Sequence, residues 1–336
     1  MNTNKIKKIT SFCLAFLTAA TTLSTASCGK DGKSAAYNPP PEMEYPKLYQ
    51  RHYNSDGELV SEDLYEYDAD GHLLGRKYSI YKMDEMGLSG MATETGREAV
   101  GKYEYENGRL TRFTFHETYS DSGYEEESVY SYVYDKNGLV KEIEKTENGK
   151  YTGKTSYMRD GSGKVKRMVY YNESGGFNGM IEHKYDASGR CVEEKEYDTQ
   201  SIISRHVYQY DQSGNVTECM VYNKYSLACH YRFEYGSDGA LLRESWLDGN
   251  GNVYRTEEYS FDEKGRRKSR TDTEDRTIDQ IIIYEAYDDN DNCIKLSMYN
   301  GKHILLDRYE YEYGSEKVQK IDWELESRRF HGDFLL

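Results

Sequence analysis

The sequence predicts an all-β protein built from antiparallel β-hairpin repeats, and three observations lead to that prediction. A turn motif of the form Tyr-Asp-x-x-Gly recurs along the chain, and the turn glycines from Gly138 to Gly265 are 25 or 26 residues apart. Aromatic and polar residues alternate before each turn, and no stretch after Pro46 shows a sustained helical period. Such regular spacing is typical of repeat architectures, in which each unit buries its apolar face against its neighbours.

Residues 1–27 are predicted to be a signal peptide. Lys5, Lys7 and Lys8 precede an apolar stretch at residues 9–23, which is too short and too rich in Thr and Ser for a membrane span. Small residues lead up to Cys28 and resemble the cleavage box of bacterial lipoproteins, in which the cysteine is diacylated and becomes the first residue. A cut without lipidation is the alternative. The charged residues after Cys28 are similar to an outer-surface export signal, so we expect a lipid-anchored protein of the outer membrane or cell surface.

Residues 28–46 are predicted to be an extended tether. They contain all four prolines of the chain, together with Gly, Ser and charged residues. The 336 residues include 59 Asp and Glu against 44 Lys and Arg, a net charge of −15, and loss of the signal peptide removes three lysines and no acid. This acidity argues against nucleic acid as a partner and predicts that the lipid alone holds the protein to an anionic membrane.

Residues 47–336 are predicted to form a single repeat domain in which each unit has two strands and two turns. Aromatic residues lie eight, six and four positions before the turn glycine, as at Tyr130, Tyr132 and Tyr134. This period of two is typical of a strand with one apolar and one charged face. The turn supplies an Asp that accepts backbone hydrogen bonds and a Gly for positive φ.

A one-faced aromatic sheet of some twenty strands must be covered, and the 35 tyrosines provide a large area to bury. Because antiparallel sheets twist, we expect the sheet to coil on itself with its aromatic side chains inward, or to form an elongated superhelical ribbon. We therefore interpret the aromatic residues that recur at the same positions of each repeat as core residues. A sugar-stacking surface is the less favoured interpretation.

Two early steps of the repeat are longer than the others, which predicts insertions at residues 83–98 and 117–127. Insertions of repeat proteins map to loops, and loops carry function, so these segments are the predicted binding loops. The second is rich in Glu and Tyr and is expected to engage a cationic or sugar ligand, or to be a solvated loop. Its candidate binding residues are Tyr119, Tyr124, Glu125, Glu126 and Glu127.

The motif at Tyr67–Gly71, Tyr134–Gly138, Tyr185–Gly189 and Tyr210–Gly214 resembles the YD-repeat, or Rhs-repeat, family. The resemblance covers residues 50–320. It implies β-hairpins that wind into a shell, often around a toxin, a cell-envelope setting, and adhesion or ligand binding. No toxin domain is recognisable after the repeats, so a partner or remnant of an Rhs-type toxin delivery system is an alternative.

Motifs of catalysis and metal binding are missing from the sequence. The eight His residues form no His-Glu-x-x-His motif, and no Gly-x-Ser-x-Gly elbow occurs. The acidic segments Asp248–Asn252 and Asp288–Asn292 alternate oxygen ligands as calcium loops do, but Tyr259 stands where such a loop needs Glu, which favours turn chemistry. We expect no catalysis, no metal and no cofactor. An enzyme whose site is built from turns would require several carboxylates with raised pKa values in one pocket.

Four cysteines remain if Cys13 leaves with the signal peptide and Cys28 is lipidated. Cys219 and Cys229 flank the turn at residues 223–226, and we predict a disulfide across that hairpin; two small buried residues are the alternative. The predicted function is that of a non-catalytic, lipid-anchored scaffold of the bacterial envelope with a structural role or a glycan or protein ligand.

Overall fold

A computed structural model describes residues 43–81, 96–120 and 122–319, which consist of strands and turns. The strands are β1 (Met43–Glu44), β2 (Lys47–Asn54), β3 (Leu59–Tyr67), β4 (Leu73–Ile80), β5 (Arg97–Glu106), β6 (Arg109–Tyr119), β7 (Tyr124–Tyr134), β8 (Val140–Glu147), β9 (Lys150–Arg159), β10 (Val165–Asn172), β11 (Phe177–Tyr185), β12 (Cys191–Tyr197), β13 (Ile202–Tyr210), β14 (Val216–Asn223), β15 (Leu227–Tyr235), β16 (Leu241–Leu247), β17 (Val253–Phe261), β18 (Arg267–Glu274), β19 (Thr277–Tyr287), β20 (Cys293–Asn300), β21 (Leu305–Tyr313) and β22 (Val318–Gln319). Within these ranges no helix is long and apolar enough to cross a membrane.

Strands β2 to β21 form one antiparallel sheet that closes into a barrel. Each strand pairs with the next along the chain, and β21 pairs back with β2, so that His52 lies opposite Tyr309. The prediction of an all-β fold of antiparallel hairpins is confirmed. Of the two expected arrangements, the sheet coils on itself rather than extending as a ribbon, which leaves neither end of the sheet as an unpaired edge.

The inner face of the barrel carries the aromatic side chains. On β6, Phe113 and Phe115 are buried while Arg112 is exposed, and on β7 Tyr130 is buried while Ser131 is exposed. The rings of Phe113 and Tyr130 stack across the strand pair with centroids 5.7 Å apart. Two buried clusters result, one on β4–β8 and one on β12–β16. The repeated aromatic residues are therefore core, as their period predicts.

The connections between strands lie on two rims of the barrel. The motif rim carries the turns that follow the odd-numbered strands from β3 to β19, where the Tyr-Asp-x-x-Gly motif recurs. The opposite rim carries the connections that follow the even-numbered strands from β2 to β20. This division follows from the antiparallel order, because each unit crosses the wall of the barrel twice.

The aspartate of the motif caps its own turn. Asp135 Oδ1 accepts hydrogen bonds from the backbone N–H groups of Asn137 at 2.8 Å and Leu139 at 3.0 Å. The bond from Leu139 is the main cause that lowers the pKa of Asp135. On the opposite rim, Asn172 accepts the equivalent bonds from Ser174 and Gly176. The looser turns therefore use the same device with either Asn or Asp, as Asp198 also shows.

The tyrosine of the motif joins one repeat to the preceding one. Its hydroxyl donates to the backbone carbonyl of the residue two positions after the preceding turn glycine. The bonds run from Tyr134 to Leu110 (2.7 Å), from Tyr185 to Val165 (2.8 Å), from Tyr210 to Cys191 (2.6 Å) and from Tyr235 to Val216 (2.9 Å). A phenylalanine cannot donate this bond, which explains why tyrosine dominates at this position.

The described ends of the chain meet at the motif rim. Glu44 of β1 pairs with Val318 of β22, and the side chain of Val318 lies against Gly71 in the turn after β3. Gly71 has φ +83°, and a Cβ atom there would collide with Val318. The glycine is therefore required both by the turn conformation and by this contact.

The predicted disulfide between Cys219 and Cys229 does not form in the structure, where both are free thiols. Cys219 pairs with Tyr231 and Cys229 pairs with Val221. The pairing of Tyr222 with Leu227 beside the turn already places Cys219 out of register with Cys229, and the one-residue shift at Ala228 moves the two further apart. The two cysteines are therefore diagonal to each other rather than opposed. Cys219 is buried in the β12–β16 cluster, and burial raises the pKa of its thiol.

Candidate functional site

Three acidic side chains lie side by side on the inner face of β16, β17 and β18. Glu244 pairs with Glu257, and Glu257 pairs with Asp272, so the carboxylates form one row across three strands. They are 7%, 5% and 4% exposed, respectively. Like charges directly opposite one another destabilise a sheet, so this row requires compensation.

Two arginines neutralise part of the row. Arg270 donates to Asp272 at 3.0 Å, and Arg255 donates to Glu257 at 3.2 Å while its guanidinium lies 4.7 Å from the Trp246 ring centre. The hydroxyl of Tyr259 also donates to Glu257, at 2.9 Å. These bonds satisfy Glu257, whereas Asp272 Oδ1 and Glu244 Oε1 are buried without a hydrogen-bond partner among the described residues.

Glu244 is the member of the row whose pKa is raised furthest. Its Oε1 is buried and has no hydrogen-bond partner among the described residues. Burial and the charge of Glu257 raise the pKa of Glu244 to about 8, and the same two causes raise the pKa of Asp272 to about 6. Glu244 is therefore mostly protonated at neutral pH, which relieves the repulsion within the row.

An enzyme site built from turns would need several carboxylates with raised pKa values in one pocket, and the row meets this condition only in part. Glu244 and Asp272 do have raised pKa values, but they lie on neighbouring strands rather than on turns, on the inner face of the barrel. A cavity of about 320 Å³ lies elsewhere, on the motif rim, and is lined by residues that include Asp135, Tyr157 and Arg159. The spacing of the three acids in the sequence does not reveal the row, because residues 13 and 15 positions apart align only when the strand register is known.

One group in the described part of the chain has the spacing of a metal site. Asp68, Asp70 and His72 bring their ligand atoms within 4.8 Å of one another in the turn after β3. Asp68 Oδ1 accepts the backbone N–H groups of Asp70 and His72, and its Oδ2 lies 2.9 Å from His72 Nδ1. Since the other turns make the same backbone bonds, turn chemistry accounts for this group.

The calcium-like segments are also turns. Asp248 Oδ1 accepts the backbone N–H groups of Asn250 and Asn252. Asp288 accepts the equivalent bonds from Asn290 and Asn292. The oxygen atoms that alternate in the sequence are therefore used within the turn itself.

The candidate residues at 119–127 lie in strands rather than in a loop, so that part of the prediction is wrong. Tyr119 ends β6 and pairs with Tyr124 at the start of β7, with ring centroids 5.8 Å apart. The pairing continues through Glu125, Glu126 and Glu127, which lie opposite Thr118, Glu117 and His116. The insertion lengthens a hairpin of the opposite rim beyond β8, and Tyr124 is 51% exposed at its end.

The first predicted insertion and the predicted lipidation site lie partly or wholly outside the described residues. Residues 82–95 of the first insertion and Cys28 lie outside the described residues. Arg97 and Glu98, at the end of that insertion, belong to β5 and pair with Tyr119 and Thr118. Both insertions therefore reach the opposite rim at neighbouring strands.

The opposite rim carries many large apolar side chains that are exposed. Each of its six consecutive hairpins from β10–β11 to β20–β21 has at least one. They are Phe177, Ile202, Ile203, Tyr225, Val253, Tyr254, Ile278 and Ile304. The described Asp-x-x-Gly turns of the motif rim expose no large apolar side chain, and fewer are exposed on the strand ends beside them: Met43, Val133, Met158 and Leu242. On the outer wall such side chains stand singly, as at Leu64 and Ile283. The two rims therefore differ in chemistry as well as in sequence.

The same arc of the opposite rim is acidic. Its acidic side chains are Glu173, Asp198, Asp248, Glu274, Asp275 and Asp279, and its basic ones are Lys224, Arg276 and Lys302. Apolar groups within an acidic border are typical of an interaction surface rather than of a solvated end. The sequence signal for this surface is an apolar residue within or just after each looser turn from residue 173 onward.

No protein-family model and no curated protein matches the chain. Distant structural matches do exist. Over 72% of its length the chain is similar to the Tc holotoxin pore of Photorhabdus luminescens, at 17% identity and a TM-score of 0.35, and it spans 12% of that chain. Over 82% of its length it is similar to a porin-like protein from Bacteroides uniformis, at 10% identity and a TM-score of 0.38, covering 99% of that chain. Over 81% it is similar to a porin-like protein from Bacteroides vulgatus, at 10% identity and a TM-score of 0.18, covering 100% of that chain. At these TM-scores the likenesses support no inference about function.

Proposed function

We propose that this chain is a non-catalytic, lipid-anchored binding scaffold of the bacterial envelope. The observation that carries the proposal is the difference between the two rims of the barrel. The described Asp-x-x-Gly turns of the motif rim expose no large apolar side chain, whereas the opposite rim exposes apolar side chains on six consecutive hairpins. Exposed patches of this kind mark binding surfaces on soluble domains.

The position of the anchor agrees with this assignment of the rims. The predicted tether leads from Cys28 to Met43, and Met43 belongs to the strand pair at the motif rim. A lipid at Cys28 would thus attach the barrel to the membrane from the side of the motif rim. The proposed binding surface lies on the rim opposite to that attachment.

We also propose that the repeats belong with the YD-type hairpin repeats. Support comes from the role of each motif residue: the Asp caps the turn, the Gly adopts positive φ, and the Tyr bonds to the preceding repeat. The motif is therefore a structural requirement of the wall. Its presence supports an envelope scaffold without requiring a toxin.

Surface labelling of intact cells tests the proposal. Wild-type protein should be labelled, and Cys28→Ala should be released in soluble form because it lacks the acylated thiol. Cys13→Ala is the matched control, since Cys13 lies in the predicted signal peptide and its loss should leave anchoring unchanged. If Cys28→Ala remains bound to the membrane, or if the wild type is protected from the label, the anchored surface scaffold is the wrong assignment.

A further inference from the structure

We infer that the opposite rim docks a protein whose contact surface combines apolar with basic side chains. This inference rests on the proposed binding function and adds the class of partner. It is carried by three features of the rim: its extent, the kind of apolar side chain, and the sign of its charge.

The apolar side chains form an arc. Neighbouring hairpins of one rim are two strands apart, or about 10 Å at the usual strand spacing, so six hairpins span about 50 Å. An arc of that length matches one side of a protein–protein interface rather than a small-ligand pocket. Its most exposed member, Tyr225, stands at the tip of the β14–β15 turn and is 86% exposed.

The kind of side chain favours a protein over a glycan. Ile202, Ile203, Ile278 and Ile304 are aliphatic, and they are 37%, 40%, 42% and 58% exposed. Sugars are held by aromatic faces and hydrogen bonds, neither of which isoleucine provides. Aliphatic and aromatic side chains together instead fit the apolar centre of a protein interface, where tyrosine is a common contributor to affinity.

The charge of the arc selects the partner. Acidic side chains outnumber basic ones between the apolar positions, as at Asp198, Asp275 and Asp279, whereas Glu173 is paired with Lys150 of the neighbouring hairpin. Complementary basic groups would steer a partner to this rim and speed its association. The same charge opposes contact between two copies of the rim and opposes anionic lipid headgroups.

Three labelled 16-residue peptides test this inference on the detergent-solubilised mature protein: alternating Lys-Leu, alternating Lys-Ser and alternating Glu-Leu. Fluorescence anisotropy should show binding of Lys-Leu, with the other two at least tenfold weaker. The triple variant Ile202→Ser, Ile203→Ser and Tyr225→Ser should weaken Lys-Leu binding at least tenfold. The wall variant Leu64→Ser, Met158→Ser and Ile283→Ser, which also removes three exposed apolar side chains, should change it less than twofold.

Several results would overturn the inference. Equal binding of Lys-Ser and Lys-Leu would show attraction by charge alone, and equal losses in the two triple variants would show that the rim is not the site. Dimerisation that the rim variant abolishes, or binding to a glycan or to anionic vesicles in place of Lys-Leu, would identify another occupant. In those cases the proposed scaffold function stands, whereas it fails separately if Cys28→Ala leaves anchoring unchanged. Circular dichroism of both variants confirms that they fold.

Discussion

Glu244→Gln should stabilise the barrel at neutral pH while leaving it unchanged in acid. Burial and Glu257 raise the pKa of Glu244 from 4.5 to about 8. Between these values the unfolded chain releases the proton and the folded chain keeps it, so the free energy of unfolding falls as the pH rises. Below pH 4.5 the carboxyl is protonated in both states and has no such effect.

The size of the effect follows from the shift in pKa. Each pH unit between 4.5 and 8 removes up to about 1.4 kcal/mol of stability, which amounts to about 3 kcal/mol at pH 7. Glutamine has nearly the shape of the protonated acid but does not ionise in the unfolded chain. The gap in unfolding free energy between Glu244→Gln and wild type should therefore grow from near zero at pH 4.5 to about 3 kcal/mol at pH 7.

Urea unfolding from pH 5 to 8 measures this gap. The series begins at pH 5 so that the turn aspartates stay ionised throughout. Asp135, for example, has a lowered pKa, and the stability that it contributes is lost only as the pH falls below about 3.8. Glu234→Gln, on the exposed face of β15, is the control for the loss of one formal charge. A gap that stays constant from pH 5 to 8 would refute the reasoning about Glu244.

Two further predictions concern the turns of the motif rim. Tyr210→Phe removes the hydroxyl that donates to the Cys191 carbonyl at 2.6 Å, and should lower the free energy of unfolding by about 1 kcal/mol in urea titration; an unchanged midpoint would count against the inter-repeat bond. Gly71→Ala should expose β1 and β22 to hydrogen exchange, because the new methyl group collides with Val318, whereas Gly57→Ala, with φ +79° and nothing within 4 Å, should not. Equal exchange in both variants would contradict the role of that contact.

Much of the fold was predictable because its signals are local. The Asp, Gly and Tyr of the motif act within one turn or on the adjacent hairpin, so their spacing alone indicated hairpins, strand faces and an aromatic core. The disulfide was not predictable in this way, because it depends on strand register: Tyr222 pairs with Leu227 beside the turn, and a bulge at Ala228 then places Cys229 opposite Val221. The insertion at 117–127 looked like a loop since its length breaks the repeat, yet its residues extend two strands.

What the sequence by itself determined is the repeating unit: a capped turn, two strands with period-two faces, and a tyrosine positioned for the neighbouring repeat. Only the tertiary structure decided that β2 closes against β21, that Glu244, Glu257 and Asp272 share one row, and that exposed apolar side chains gather on one rim. The physical reason is that a repeat specifies contacts between neighbours in the sequence. Closure and strand register depend instead on the twist and bulges accumulated over all the strands, which no single unit encodes.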